Sequence, residues 1–166
     1  MFLDESGSHT AMTPLYGWAP RGERAWGRVP RNRGQNTTIL AALGTQGVQA
    51  ALTLEGAADR LAFDVFIEVL LVPTLQSGQI VIMDNLNIHK SAKARAAVEA
   101  AGCRWEYLPT YSPDMNPIEL MWSQLKAHLR RESAREREAL EEAIASGIKQ
   151  VSAANAVAWF AHCGYS

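Results

Sequence analysis

The chain has 166 residues, of which 48% are hydrophobic and 20% charged, with 16 Lys and Arg against 17 Asp and Glu. That length suits one domain with a sizeable core, and the apolar fraction excludes a disordered or collagen-like polypeptide. The net charge of −1 excludes a globally basic nucleic-acid binder.

No stretch reaches the roughly 18–20 apolar residues of a membrane span. The best one, Leu61 to Met83, is broken by Asp64, Glu68, Pro73 and Gln76. Met1-Phe2-Leu3-Asp4 shows no basic segment followed by an apolar run, so no signal peptide is expected. Cys103 and Cys163 form neither a disulfide framework nor a CxxC metal knuckle. These features predict a soluble, cytoplasmic protein with no membrane partner.

In chain order, Met1 to Asp4 reads as the end of a short strand, and Thr13 to Trp18 is strand-like. Ala19 to Asn36 carries two Pro, three Gly and five Arg and reads as a long irregular arm. An arm of that length in a domain is usually functional or disordered. Thr37 to Leu43 and Val48 to Leu54 form two β-compatible runs, joined by Gly44-Thr45-Gln46-Gly47 as a hairpin. Leu61, Val65, Phe66, Val69 and Leu70 recur at helical spacing, and Pro73 closes that helix. Gln79 to Met83 is a short apolar strand ending at Asp84. Ser91 to Ala101 is an Ala-rich helix stopped by Gly102, and Cys103 to Leu108 is another strand. Asn116 to Arg131, Arg135 to Val151 and Ala153 to His162 read as helices. The order predicts an α/β protein, a mixed central sheet flanked by helices, in one domain.

Charge is unevenly placed. Arg outnumbers Lys twelve to four, and Arg21, Arg24, Arg28, Arg31 and Arg33 have only Glu23 as a local acid. A second cluster is Lys126, Arg130, Arg131, Arg135 and Arg137. It reads either as a nucleic-acid contact or as a solvated helix face with Glu partners at i+3 and i+4.

Three acids stand where chemistry is possible. Asp4 and Asp84 each follow an apolar strand, and Glu119 lies in the first turn of a helix. Strands ending side by side would bring two carboxylates together, which raises their pKa values unless a cation neutralises them. Oxygen-only ligands favour Mg²⁺ or Mn²⁺. Each acid also has a plain structural reading. Asp84 with Asn85 forms a turn, and Asp4 beside Glu5 is terminal surface. Asn116, Pro117 and Glu119 match an N-cap, a first-turn proline and a capping box.

The strings around these acids carry more information. They are Phe2-Leu3-Asp4-Glu5-Ser6-Gly7, Ile82-Met83-Asp84-Asn85-Leu86-Asn87-Ile88-His89-Lys90, and Tyr111-Ser112-Pro113-Asp114-Met115-Asn116-Pro117-Ile118-Glu119, with 34 residues between Asp84 and Glu119. Together with Gly17-Trp18-Ala19-Pro20-Arg21-Gly22 and the ending Trp159 to Tyr165, they resemble the catalytic domain of IS630-type transposases, in the IS630/Tc1/mariner group. The resemblance implies an RNase H-like fold and a DDE site in which Asp4, Asp84 and Glu119 are the catalytic acids and hold two Mg²⁺ or Mn²⁺ ions. It implies hydrolysis of a DNA phosphodiester, then attack of the freed 3′-OH on target DNA. The partners implied are transposon ends, target DNA and further transposase protomers, as a homodimer or synapse.

Supporting roles follow. Lys126 lies two turns beyond Glu119 on the same helix face and can meet a DNA phosphate. His89 and Lys90 contact DNA, or His89 orients the Asp84 loop. Trp122 either packs in the core or serves the site. By resemblance, the arm either grips a partner subunit or lays Arg21, Arg24, Arg28, Arg31 and Arg33 on phosphates, with Trp18 and Trp26 as interface anchors.

The sequence begins three residues before Asp4. The expected domain, residues 1–166, is therefore a catalytic domain without the helix-turn-helix region usual in this group, and with a first strand clipped to Met1-Phe2-Leu3. Two other readings stand beside the leading one. One is a non-catalytic truncated remnant that dimerises with or inhibits a full-length transposase. The other is an RNase H-like nuclease of repair or RNA processing.

Overall fold

The structure, a computed structural model, describes residues 1–34, 36–85, 90–110 and 112–165. Its centre is a strand whose sequence does not alternate. Thr37–Gly44 (β2) is buried at every position, which requires both faces of the sheet to be covered. It pairs antiparallel with Gly47–Glu55 (β3) through the expected hairpin, with a register shift at Ala42/Leu43. On its other side it pairs antiparallel with Phe2–Ser8 (β1). Ile80–Met83 (β4) and Arg104–Tyr107 (β5) extend the sheet in parallel, giving the order β3-β2-β1-β4-β5.

The first strand is longer than expected. β1 has seven residues and occupies the sheet interior, with Asp4 inside the strand rather than at its end. Its polar half is accommodated by bonding: the buried Ser8 hydroxyl donates to Thr37 O at 3.3 Å. Thr13 to Trp18 is not a strand. It finds no partner strand, and without ladder bonds its apolar residues do not make one.

Side chains alternate across the sheet and feed two cores. Phe2, Ile39, Ala41 and Leu43 face Pro117–Glu132 (α3), Arg137–Lys149 (α4) and Ala153–His162 (α5). Leu3, Leu40, Ala42, Val81 and Met83 face Arg60–Val65 (α1), its π-helical continuation Phe66–Leu71, and Ala92–Ala100 (α2). In that helical segment the buried stripe is Phe63, Phe66, Ile67 and Leu71, while Leu61, Val65 and Val69 are exposed. The expected apolar face is thus largely the solvent face. Two stripes were available, and the one carrying both phenylalanines buries more surface against the sheet. Pro73 sits inside a short 3₁₀ turn, Val72–Thr74, that ends the segment.

Candidate carboxylate site

β1 and β4 are parallel, with Leu3 opposite Met83. One residue further along each, Asp4 and Asp84 come abreast. By alternation both lie on the face that carries Phe2 and Ile82, toward α3. α3 begins there. Asn116 is its N-cap residue, Pro117 occupies the first turn, and Glu119 projects from that turn. All three acids line one cavity of about 300 Å³, together with Asn85, Leu108, Pro109, Thr110, Ser112, Pro113 and Asn116.

The acids are not equivalent. Asp4 is only 6% exposed. Its Oδ1 accepts from the Glu5 amide at 2.8 Å, and its Oδ2 accepts from Trp122 Nε1 at 3.1 Å. Burial pushes its pKa up to about 7, and the Glu119 and Asp84 charges add to that against the opposing pull of the two hydrogen bonds. Asp84 is half-buried and Glu119 exposed. The result is a fixed, desolvated carboxyl facing two more accessible ones.

The donor set fits a hard divalent cation. It is all oxygen, carries up to three negative charges, and includes a buried group that cannot ionise cheaply without a compensating charge. Asn116 supports the fit: its Oδ1 is buried, lies in a residue lining the cavity, and has no hydrogen-bond partner among the described residues. Among the described residues, no three His, Cys, Asp or Glu side chains form a ready-made ion shell; the acids surround a shared cavity rather than meeting at a point.

The capping-box expectation fails in detail. Glu119 N–H donates to the Asn116 carbonyl at 3.1 Å, yet Asn116 makes no side-chain cap bond. Trp122 is a core residue at 2% exposure, and its Nε1 also donates to Asp4. Its usable signal in the sequence was a polar indole N–H one turn after an acid in a helix start. The aromatic ending braces the same site: Phe160 and Tyr165 pack edge-on against Phe2, and Tyr165 OH donates to Met115 O at 2.8 Å.

Of the DNA-contact candidates, Lys126 is half-buried on α3, while Lys90 and Arg21, Arg24, Arg28, Arg31 and Arg33 are exposed. His89 lies outside the described residues. Arg24 stacks over Trp26 at 5.8 Å within the arm. The five arm arginines are not brought to the carboxylate cavity; none lines it.

A family model described as DDE superfamily endonuclease matches residues 1–141. A search of curated proteins gives no match. Among solved structures, the Mos1 transposase paired-end complex with left transposon end aligns at TM-score 0.77 and 17% identity, covering 98% of this chain and 51% of that one. The Mos1 mariner paired end complex with Mn aligns at TM-score 0.77 and 18% identity, covering 98% and 51%. The catalytic domain of Mos1 mariner transposase aligns at TM-score 0.66 and 15% identity, covering 98% and 76%. The chain thus spans about half the length of the first two structures. At these identities the likeness is one of fold, and the fold is RNase H-like. With the family model spanning β1 to the start of α4, and three acids from separate segments around one cavity, the chain belongs to the DDE superfamily endonucleases.

Proposed function

We propose that this chain is the DDE catalytic domain of an IS630-type transposase, a cytoplasmic DNA endonuclease and strand transferase with Asp4, Asp84 and Glu119 as its catalytic acids. The observation that carries the reading is the register of β1 and β4, which sets Asp4 beside Asp84, with Glu119 on the third wall of the same cavity.

These three carboxylates would hold two Mg²⁺ or Mn²⁺ ions. When bound, such ions supply Lewis-acid stabilisation of phosphoryl oxygens and a lowered pKa for attacking water. The protein's own part is placement. Trp122 and the Glu5 amide fix both oxygens of Asp4, and Tyr165 braces the loop that delivers Glu119. In hydrolysis, water oxygen bonds to phosphorus as the P–O3′ bond breaks, leaving a 3′-OH and a 5′-phosphate. In strand transfer that 3′-OH attacks a target phosphodiester, whose own 3′-oxygen departs.

The DNA partners are transposon ends and target. The solved relatives include a paired-end complex and a strand transfer complex, which supports assembly of transposase protomers on DNA. The exposed arm, with Trp18 and Trp26 uncovered by this chain, suits a partner protomer. The seven-residue β1 supports the catalytic reading over the non-catalytic remnant, whose main support is a short first strand.

A plasmid-nicking assay in Mg²⁺ and in Mn²⁺ tests the proposal. Metal-dependent nicking of DNA, abolished in Asp84→Asn and Glu119→Gln, is expected. Cleavage confined to RNA–DNA hybrids would favour the RNase H-like alternative, and activity unaffected by both variants would refute the site.

A further inference from the structure

One arginine of the arm and two of the second basic cluster, separate in sequence, meet the segment that follows β1. α3 packs against β1, and bonds tie the helix to the strand at one end and the segments that follow them at the other. Trp122 bonds Asp4 at one end. At the other, Arg135 Nη1 donates to Thr10 O and Met12 O at 2.9 and 3.0 Å. The segment just after β1 also holds the end of the arm: Thr10 Oγ1 donates to Arg33 O at 3.5 Å, and Gly34 packs on the Thr10 side chain.

Arg33 is therefore unlike the arm's other arginines, because the body of the protein anchors its backbone. Arg130 stands three turns beyond Glu119, on the row that also carries Lys126. His9 directly follows β1, and its partial burial first, then the Arg33 and Arg130 guanidinium charges, hold its imidazole below the usual value. Its Nδ1 accepts from Ala11 N–H at 3.2 Å, which leaves Nε2 to donate.

The two paths agree in length. From Glu119 to Arg130 the helix rises about 16–17 Å, and from Asp4 to His9 the strand rises about 16–17 Å. The face thus begins with acids, passes Lys126, and ends in His9, Arg33 and Arg130. Among the described residues these two arginines have no carboxylate within ion-pair distance, whereas Arg95, Arg104 and Arg137 each do.

We propose that His9, Arg33 and Arg130 form a phosphate-backbone site for duplex DNA, placed about 16 Å from the carboxylate cavity on the α3–β1 face. At ~3.4 Å per step along a strand, the site grips the backbone about five base-pair steps from the phosphate being cleaved. It reads no sequence; it sets the angle at which the duplex enters the cavity. The inference rests on the DNA reading above but not on catalytic competence.

The test is fluorescence anisotropy of a random-sequence duplex, titrated with the full chain across a salt series. Each lost phosphate contact lowers the slope of log K against log salt by about 0.9. The Arg33→Ala/Arg130→Ala double variant should lose about two units of slope and at least ~10-fold in affinity at low salt. Arg104→Ala/Arg95→Ala, which removes the same charge from paired arginines elsewhere, should keep the wild-type slope. Equal slopes in the two double variants, or no salt-dependent binding by the wild type, overturn the proposal. Nicking assays on the same proteins separate the two claims. Nicking with equal slopes sinks only the backbone site, and a lost slope without nicking sinks only the catalytic reading.

Discussion

The carboxylate cavity and the arm are built on opposite rules. Around the cavity, the side chains are held by the fold. Asp4 is bonded at both oxygens, Trp122 is in the core, and the C-terminal aromatics lock Phe2 and Met115. In the arm, Tyr16, Trp18 and Trp26 are 91%, 102% and 85% exposed. Phosphoryl chemistry of the kind proposed needs reacting groups held close to one geometry, and the packing around the cavity supplies that restraint. Large exposed aromatics contribute nothing to this chain's own core. They carry binding energy only once a partner covers them.

The largest effect should come from Trp122→Ala. It removes a buried aromatic and the Asp4 Oδ2 donor together, and should cost about 3–5 kcal/mol in urea unfolding. A loss below about 1 kcal/mol would mean that the cavity end is not held as described.

The next is a pH effect at Asp4 in the metal-free protein. A carboxyl raised from 3.8 to about 7 favours folding while protonated. That contribution is complete below about pH 4 and is lost as pH rises through about 7. Asp4→Asn should match the wild type near pH 4 and exceed its stability by about 2–4 kcal/mol at pH 8. Parallel stability profiles for the two proteins would show that Asp4 is not desolvated.

Tyr165→Phe removes one hydrogen bond, to Met115 O, and should cost about 0.5–1.5 kcal/mol. Nicking should fall further than that loss of stability explains, because the Glu119 loop loosens. At the small end, Trp18→Ala/Trp26→Ala should change the stability of the isolated chain by less than about 0.5 kcal/mol. Assembly on DNA, read by size-exclusion chromatography with light scattering, should weaken. Destabilisation by several kcal/mol would erase the contrast between the two regions.

What could be read from the sequence follows the same division. Asp84 and Glu119 sit in long strings beside a short apolar strand and a proline-started helix, and local pattern suffices for those two elements, which form as expected. β1 reads short in sequence because Glu5, Ser6, Gly7 and Ser8 carry no hydrophobic alternation; their strand exists through ladder partners on β2. The Leu61–Val65–Val69 stripe misled because helical spacing says that a face is apolar but not which of two apolar faces meets the sheet. The bond from Trp122 to Asp4 spans 118 residues, and no local pattern reports a contact of that range. The bonds that tie Arg33 and Arg135 to Thr10 are long-range in the same way.

The central claim, that Asp4, Asp84 and Glu119 form one divalent-cation site, is tested most directly by thermal unfolding of the full chain with Mn²⁺, beside Asp84→Asn. With the ion about 100-fold above its dissociation constant, the wild type should gain about 2.7 kcal/mol, a rise of several degrees at ~2–4 °C per kcal/mol. The variant should lose most of that rise. A wild type that unfolds cooperatively with no Mn²⁺ shift, or a shift of equal size in the variant, would contradict the claim.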